Sequence, residues 1–180
     1  MTRWPSGKIS PDGAPLSFTA DVGGVCQLFV RSPEARVERQ LTTAKQSLDD
    51  YLWTGDARYI VFPQDAGGDE GYHLYAIDPR TPGAAVRDLT PFAGVSVEVI
   101  GVPSEARGAV LFQMNRRNPE LMDAFRVDVG SGAVELAAEN PAISSPSRAT
   151  SMDAFWPRSP SMGRAATTSL RAPRSSLRSV

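Results

Sequence analysis

A closing phrase returns along this chain at a nearly constant interval. Arg39-Gln40-Leu41-Thr42 comes back as Arg87-Asp88-Leu89-Thr90, and more faintly as Val134-Glu135-Leu136-Ala137. Leu41, Leu89 and Leu136 stand 48 and 47 residues apart. Ahead of each closure lie a turn, an apolar strand, a loop and a second apolar strand. Repeats of about 40–50 residues built from short strands are the signature of β-propeller blades, since one such sheet cannot bury its faces alone and must stack on neighbours.

Each repeat has its own punctuation. The first opens on Ser10-Pro11-Asp12-Gly13, where proline presets φ, aspartate bonds its own backbone and glycine accepts positive φ. Leu16 to Thr19 and Val25 to Val30 then read as strands on either side of an Asp21 to Gly24 loop. The second repeat turns at Trp53-Thr54-Gly55-Asp56 and continues through Tyr59 to Phe62, a loop from Gln64 to Gly71, and Tyr72 to Asp78 before Pro79. The third has Ala109 to Gln113, a predicted loop from Asn115 to Pro119, Asp123 to Asp128, and a tight Ser131-Gly132 turn. Val95 to Ile100 alternates as a half-buried strand should. Helical periodicity is nearly absent, with one short turn expected between Ala44 and Leu52.

Composition narrows the function classes. Hydrophobic content of 41% and charged content of 22% are those of a globular chain. The net charge of −1 divides unevenly, with −6 on residues 1–142 and +5 from Ile143 onward. An acidic body argues against nucleic-acid binding, which needs basic surface to neutralise phosphates. Cys26 is the only cysteine, so an intrachain disulfide is impossible. Met1 to Pro5 lacks a signal peptide's apolar region and no apolar run reaches bilayer length, so a cytoplasmic address without membrane contact is expected.

Taken together, the Ser10 to Gly13 turn, Tyr51 to Asp56 before Tyr59 to Phe62, Gly71 to Asp78, the two Arg-x-Leu-Thr closures and the run from Asn115 to Asp128 resemble the amino-terminal β-propeller of the prolyl oligopeptidase family of serine peptidases. The likeness is nearest to its bacterial dipeptidyl-aminopeptidase/acylaminoacyl-peptidase-like branch and covers residues 4–141. The Ser-Pro-Asp-Gly turn is shared with TolB-type propellers; the second repeat as a whole is more specific. The resemblance implies a propeller that restricts entry of short peptides to an α/β-hydrolase domain carrying a Gly-x-Ser-x-Gly nucleophile elbow.

This chain departs from that pattern. It contains no Gly-x-Ser-x-Gly; Gly94-Val95-Ser96-Val97-Glu98 lacks the second glycine and sits in a strand-like run. The only histidine, His73, precedes Ser96 and falls in a predicted strand. No residue inherits a catalytic role, and neither cofactor nor metal site is expected. The chain reads as an inactive propeller portion truncated before the catalytic domain, with residues after about Ala142 out of frame.

Other constellations have plain readings. His73 lacks a second His or Cys at metal-ligand spacing and is expected packed or solvated on a sheet face. Asp65, Asp69 and Glu70 lack the spacing of a calcium loop and read as a solvated hairpin. Trp53, Tyr59, Phe62, Tyr72 and Tyr75 read as inter-blade core, and Cys26 as a small buried hydrophobe. Arg116 and Arg117 are the candidate substrate contacts, two guanidinium forks able to hold a peptide carboxylate.

The expected architecture is therefore all-β: about three blades of an incomplete TolB/WD40-like β-propeller, spanning 4–42, 51–90 and 95–141. A disordered Ser/Arg-rich tail follows over 143–180, too poor in apolar residues to offset its ordering entropy. Open blade edges point to self-association. A TolB-like binding module is the alternative to a peptidase-family propeller.

Overall fold

A computed structural model describes residues 7–32, 37–65 and 71–141. They form three four-stranded antiparallel sheets, each a meander in chain order, within one unit running from Met1 to Ala142. Blade one comprises β1 (Lys8–Ile9), β2 (Leu16–Val22), β3 (Val25–Arg31) and β4 (Glu38–Gln40). Blade two comprises β5 (Leu52–Trp53), β6 (Ile60–Asp65), β7 (Tyr72–Ile77) and β8 (Arg87–Asp88). Blade three comprises β9 (Val97–Gly101), β10 (Ala109–Asn118), β11 (Leu121–Asp128) and β12 (Val134–Ala138). Among the described residues there is no helix; the turn expected between Ala44 and Leu52 is only a bend at residues 45–46. The tail expected from residue 143 onward lies outside the described residues.

Side chains alternate across a strand, so a middle blade must be apolar on both faces. Blade two satisfies this. Trp53, Ile60, Phe62 and Ile77 pack with Leu28, Leu48 and Tyr51 on the side of blade one. Val61, Leu74 and Ala76 pack with Val110, Phe112, Met114, Phe125 and Val127 on the side of blade three. This double burial explains why Ile60-Val61-Phe62 reads as a continuous apolar run. Tyr59 and Tyr75 pack against these clusters, but Tyr72, predicted with them, is 39% exposed beside the β6–β7 hairpin. Cys26 is only half-buried.

Register equates the blades residue by residue. Phe18 pairs with Phe29, Phe62 with Tyr75 and Phe112 with Phe125, and each pair stacks at 5.5–5.9 Å. The third closure departs from the sequence alignment. Gln40 lies opposite Phe29 and Asp88 opposite Tyr75, while Leu136 lies opposite Phe125. Glu135, not Val134, therefore occupies the place of Arg39 and Arg87. Pairing is regular from Val134 to Leu136, and the ladder shifts register only beyond them, between Ala124 and Phe125.

The recurring threonine of the closure has a mechanical role. Strands β4 and β8 are short, and Thr42 and Thr90 extend their ladders with a side chain. Thr42 Oγ1 accepts from Leu28 N and Thr90 Oγ1 from Leu74 N, both at 2.9 Å, with both threonines buried. Blade three carries Ala138 opposite Ala124 and continues by direct pairing. Thr90→Val should leave the Leu74 N–H buried and unpaired, a cost of about 1–3 kcal/mol. Urea unfolding measures it; an unchanged midpoint would show that the hydroxyl is dispensable.

Two hairpins differ from expectation. Between β2 and β3 the loop shrinks to Gly23-Gly24, whose φ values of 66° and 89° fit a two-residue turn that only glycine adopts freely. The predicted loop at Asn115 to Pro119 is mostly strand. β10 continues to Asn118 across a bulge, with Met114 opposite Asp123 and Asn118 opposite Leu121. Four steps on β10 thus match two on β11, which leaves the segment of Asn115, Arg116 and Arg117 outside regular pairing.

Candidate functional site

The bulge of β10 aims its two arginines in different directions, as bulges commonly re-aim side chains. Arg117 folds back along its own hairpin. Its Nε and Nη2 donate to the two oxygens of Asp123 at 2.9 and 2.8 Å, and Nη2 also donates to Asn140 O at 3.0 Å. The Asp123 side chain is fully excluded from solvent and accepts a third bond, from Asn140 N at 2.8 Å. Arg116 instead lies over the ring of Phe92, 4.0 Å from its centroid, and is otherwise exposed. Phe92 belongs to the connector between blades two and three. Asn115 secures that connector by accepting from Ser96 N at 2.7 Å. The two candidate arginines therefore do not converge: Arg117 is committed to Asp123, and Arg116 keeps its outer fork.

The hydrogen bonds from Arg117 hold the Asp123 carboxyl below the usual carboxylate range against burial, which pushes it up; the Asn140 N–H assists. A carboxyl lowered in the folded state contributes stability above its unfolded value of about 3.9, and loses it as pH falls through the folded value. Asp123→Asn should therefore be less stable than the parent at pH 7, with the gap closing below about pH 4. Urea midpoints at pH 7, 5, 4 and 3 test this. A gap independent of pH would mean that the charge of Asp123 contributes nothing.

His73 is held on its sheet face. Its Nδ1 lies 2.8 Å from Asp88 Oδ2, and its ring stacks near Tyr75 at 6.4 Å. Ser96 sits in the connector running into β9, where its N–H is bonded to Asn115. Among the described residues no group of three or more His, Cys, Asp or Glu could hold a metal ion. Asp69 and Glu70 lie outside the described residues.

Sequence reasoning missed a repeated inter-blade clamp. Arg39 of blade one donates to Pro79 O and to Thr81 O (3.0 Å) in the turn after β7. Arg87 of blade two donates to Val129 O and to Gly130 O (3.1 Å) in the turn after β11. The receiving turns are themselves alike. Asp78 accepts from Arg80 N and Thr81 Oγ1, and Asp128 from Ser131 N and Oγ. A sequence signal existed: the Arg of Arg-x-Leu-Thr is followed by an Asp-x-x-Thr/Ser turn 39 residues on in one case and 41 in the other. Beside the first clamp a cleft of about 510 Å³ opens between Asp12, Val30, Arg39, Pro79 and Arg80, with Arg80 paired to Asp12.

These features are those of stacked propeller blades, and comparison with known proteins agrees. No family model matches the chain. It is 34% identical over 137 residues to dipeptidyl aminopeptidase BIII of Pseudoxanthomonas mexicana, covering 75% of this chain and 20% of that protein. It is 26% identical over 147 residues to dipeptidyl peptidase family member 6 of Caenorhabditis elegans, covering 77% and 20%. The chain thus spans about a fifth of the length of these curated relatives. Among solved structures, a putative TolB from Agrobacterium tumefaciens superposes with a TM-score of 0.54 at 17% identity, over 75% of this chain and 49% of that one. A prolyl endopeptidase superposes with a TM-score of 0.56 at 14% identity, over 77% and 22%. At such identities the solved structures speak for the fold. With the curated relatives they establish that the three-blade segment of this chain belongs to the β-propeller of the prolyl oligopeptidase family.

Proposed function

We propose that this chain serves as a substrate-screening propeller of a peptidase of this family, and that it does not itself hydrolyse peptides. The observation that carries the reading is the 34% identity, over 137 residues, to part of a dipeptidyl aminopeptidase. The single histidine, paired with Asp88 on a blade sheet, and the lack of any Gly-x-Ser-x-Gly elbow support the second half. The ligand class is a short peptide, and Arg116 is the contact for its carboxylate. Arg116 is exposed, holds one face against Phe92 and keeps its outer donors for an anion.

Isothermal titration with di- and tripeptides tests binding. Arg116→Ala should weaken it about tenfold, the scale of one charge-assisted hydrogen bond. Equal binding by the variant would remove Arg116 from the site. Dipeptidyl and aminoacyl chromogenic substrates test the rest: turnover by the purified chain would overturn the inactive reading.

A TolB-like binding module is the second reading, favoured by the superposition on TolB. In that role the open blade faces and edges hold a protein partner or a further copy of the chain. Failure to bind short peptides together with stable self-association would favour it over the first.

A further inference from the structure

Register separates what every blade needs from what one blade adds. Phe62 and Phe112 occupy one position in their sheets, opposite Tyr75 and Phe125. Four residues past them the sequence has Ala66 and Arg116. Thr42 and Thr90 likewise occupy one position in their closures, and two residues past them stand Ala44 and Phe92. Where the third repeat has an arginine over a phenylalanine ring, the second thus has two alanines. Blade two nevertheless forms the same four-stranded meander as blade three. The pair of Phe92 and Arg116 is an addition to the repeated plan and not a requirement of it.

Other cations that lie over rings are committed elsewhere or sit farther away. Lys8, 4.7 Å from the Tyr51 centroid, is paired with Asp50. Arg87, 5.9 Å from the Tyr59 centroid, donates to Val129 O and Gly130 O. Arg58 lies 5.5 Å from the same ring. Arg116 is nearer to its ring, at 4.0 Å, and among the described residues it pairs with no carboxylate. Both members of the pair are anchored. Phe92 N donates to Thr90 O at 2.7 Å, and the ring packs against the core between blades two and three. On the hairpin, Asn115 is tied to Ser96 N and Arg117 to Asp123, so the backbone on either side of Arg116 is held. A free arginine gives up rotamer freedom when it holds a ligand; here the side chain is ordered beforehand.

We propose that Phe92 is a positioning residue of the peptide subsite. Its ring holds the Arg116 guanidinium with the fork outward, and the pair selects short peptides by their free C-terminal carboxylate. This rests on the screening function proposed above and names the residue that gives that site its selectivity. A carboxylate meets the planar fork with two parallel hydrogen bonds. A C-terminal amide offers a single acceptor oxygen and turns its own donors toward a cation.

Isothermal titration of the full-length chain with a tripeptide and with its C-terminal amide tests this. The parent should bind the free acid about tenfold more tightly than the amide, the difference between a charge-assisted and a neutral hydrogen bond. Phe92→Leu keeps apolar volume against the core but removes the ring. It should weaken binding of the free acid about fivefold, the scale of an exposed cation–π contact, and reduce the preference for acid over amide. Phe92→Met repeats the test with a second ringless side chain, and Phe92→Tyr, which keeps the ring, should bind as the parent does. In the Arg116→Ala background, Phe92→Leu should add no further loss. Parent-like binding by the leucine and methionine variants overturns the proposal, as does an equal loss in the tyrosine variant. The same loss with and without Arg116 also overturns it, since Phe92 would then act by packing alone. A parent that binds acid and amide equally removes the carboxylate selectivity. Each of these leaves the screening function standing, whereas a parent that binds no short peptide overturns both.

Discussion

Phe62→Ala and Phe112→Ala are each expected to destabilise the protein by about 3–5 kcal/mol, and Phe18→Ala by well under half of that. All three occupy one register position, opposite Tyr75, Phe125 and Phe29. Their environments differ only in what lies above them. Phe62 and Phe112 are fully buried, each at an interface with the preceding blade, so truncation opens a cavity the sheets cannot collapse to fill. Phe18 is only half-buried, and its removal uncovers surface already partly in contact with water. Urea unfolding of the three variants at one protein concentration measures the ranking. Equal costs at all three would mean that the face of blade one carrying Phe18 and Phe29 is covered in solution.

Ser17→Ala should carry the largest cost of any polar substitution, about 1–3 kcal/mol for each buried partner left without a bond. The hydroxyl is saturated: it donates to Lys8 O at 3.0 Å, accepts from Trp53 Nε1 at 2.8 Å, and lies 3.1 Å from the Tyr51 hydroxyl. A serine hydroxyl has one donor and two acceptor sites, and all are used. It thereby joins β2 of blade one to β5 and the residue before it in blade two. Burial pushes the Tyr51 hydroxyl above its usual range, so it stays protonated. Ser17→Thr, which keeps the oxygen, separates lost bonding from lost volume. A shift in Trp53 fluorescence with the alanine variant but not the threonine variant would locate the effect at the indole N–H. If alanine and threonine cost the same, the bond is not what holds the blades.

The fold was legible because its signal was redundant. Turn chemistry at Ser10 to Gly13, alternation within strands and a closure recurring at 48 residues all required the same small sheet. The candidate site was legible only as residue types. Arg116 and Arg117 are adjacent in sequence and chemically identical, and nothing local distinguishes them. Asp123, brought across the hairpin by the bulge, claims one of them, and Phe92 from the inter-blade connector takes the other. The hairpin was misjudged for a related reason. Asn115 to Pro119 has loop composition, yet pairing resumes at Asn118 once the extra residues are accommodated.

The arginine clamps mark the same boundary. Arg39 and Arg87 were visible as a repeat, but their acceptors are backbone carbonyls, which have no signature in a sequence. The sequence by itself determined the number of repeats, their all-β character and which strands are apolar, since period and turn residues act within a few positions along the chain. Only the tertiary structure decided which face of each strand meets which blade, the one-residue slip that puts Glu135 in the third clamp position, and the partial burial of Phe18 where Phe62 and Phe112 are fully buried. The slip is set by pairing within the β11–β12 hairpin, and the other two outcomes depend on stacking between sheets some 40 or more residues apart in the chain. One identical local pattern can be covered or bare, and the packing of its neighbour is what separates the two.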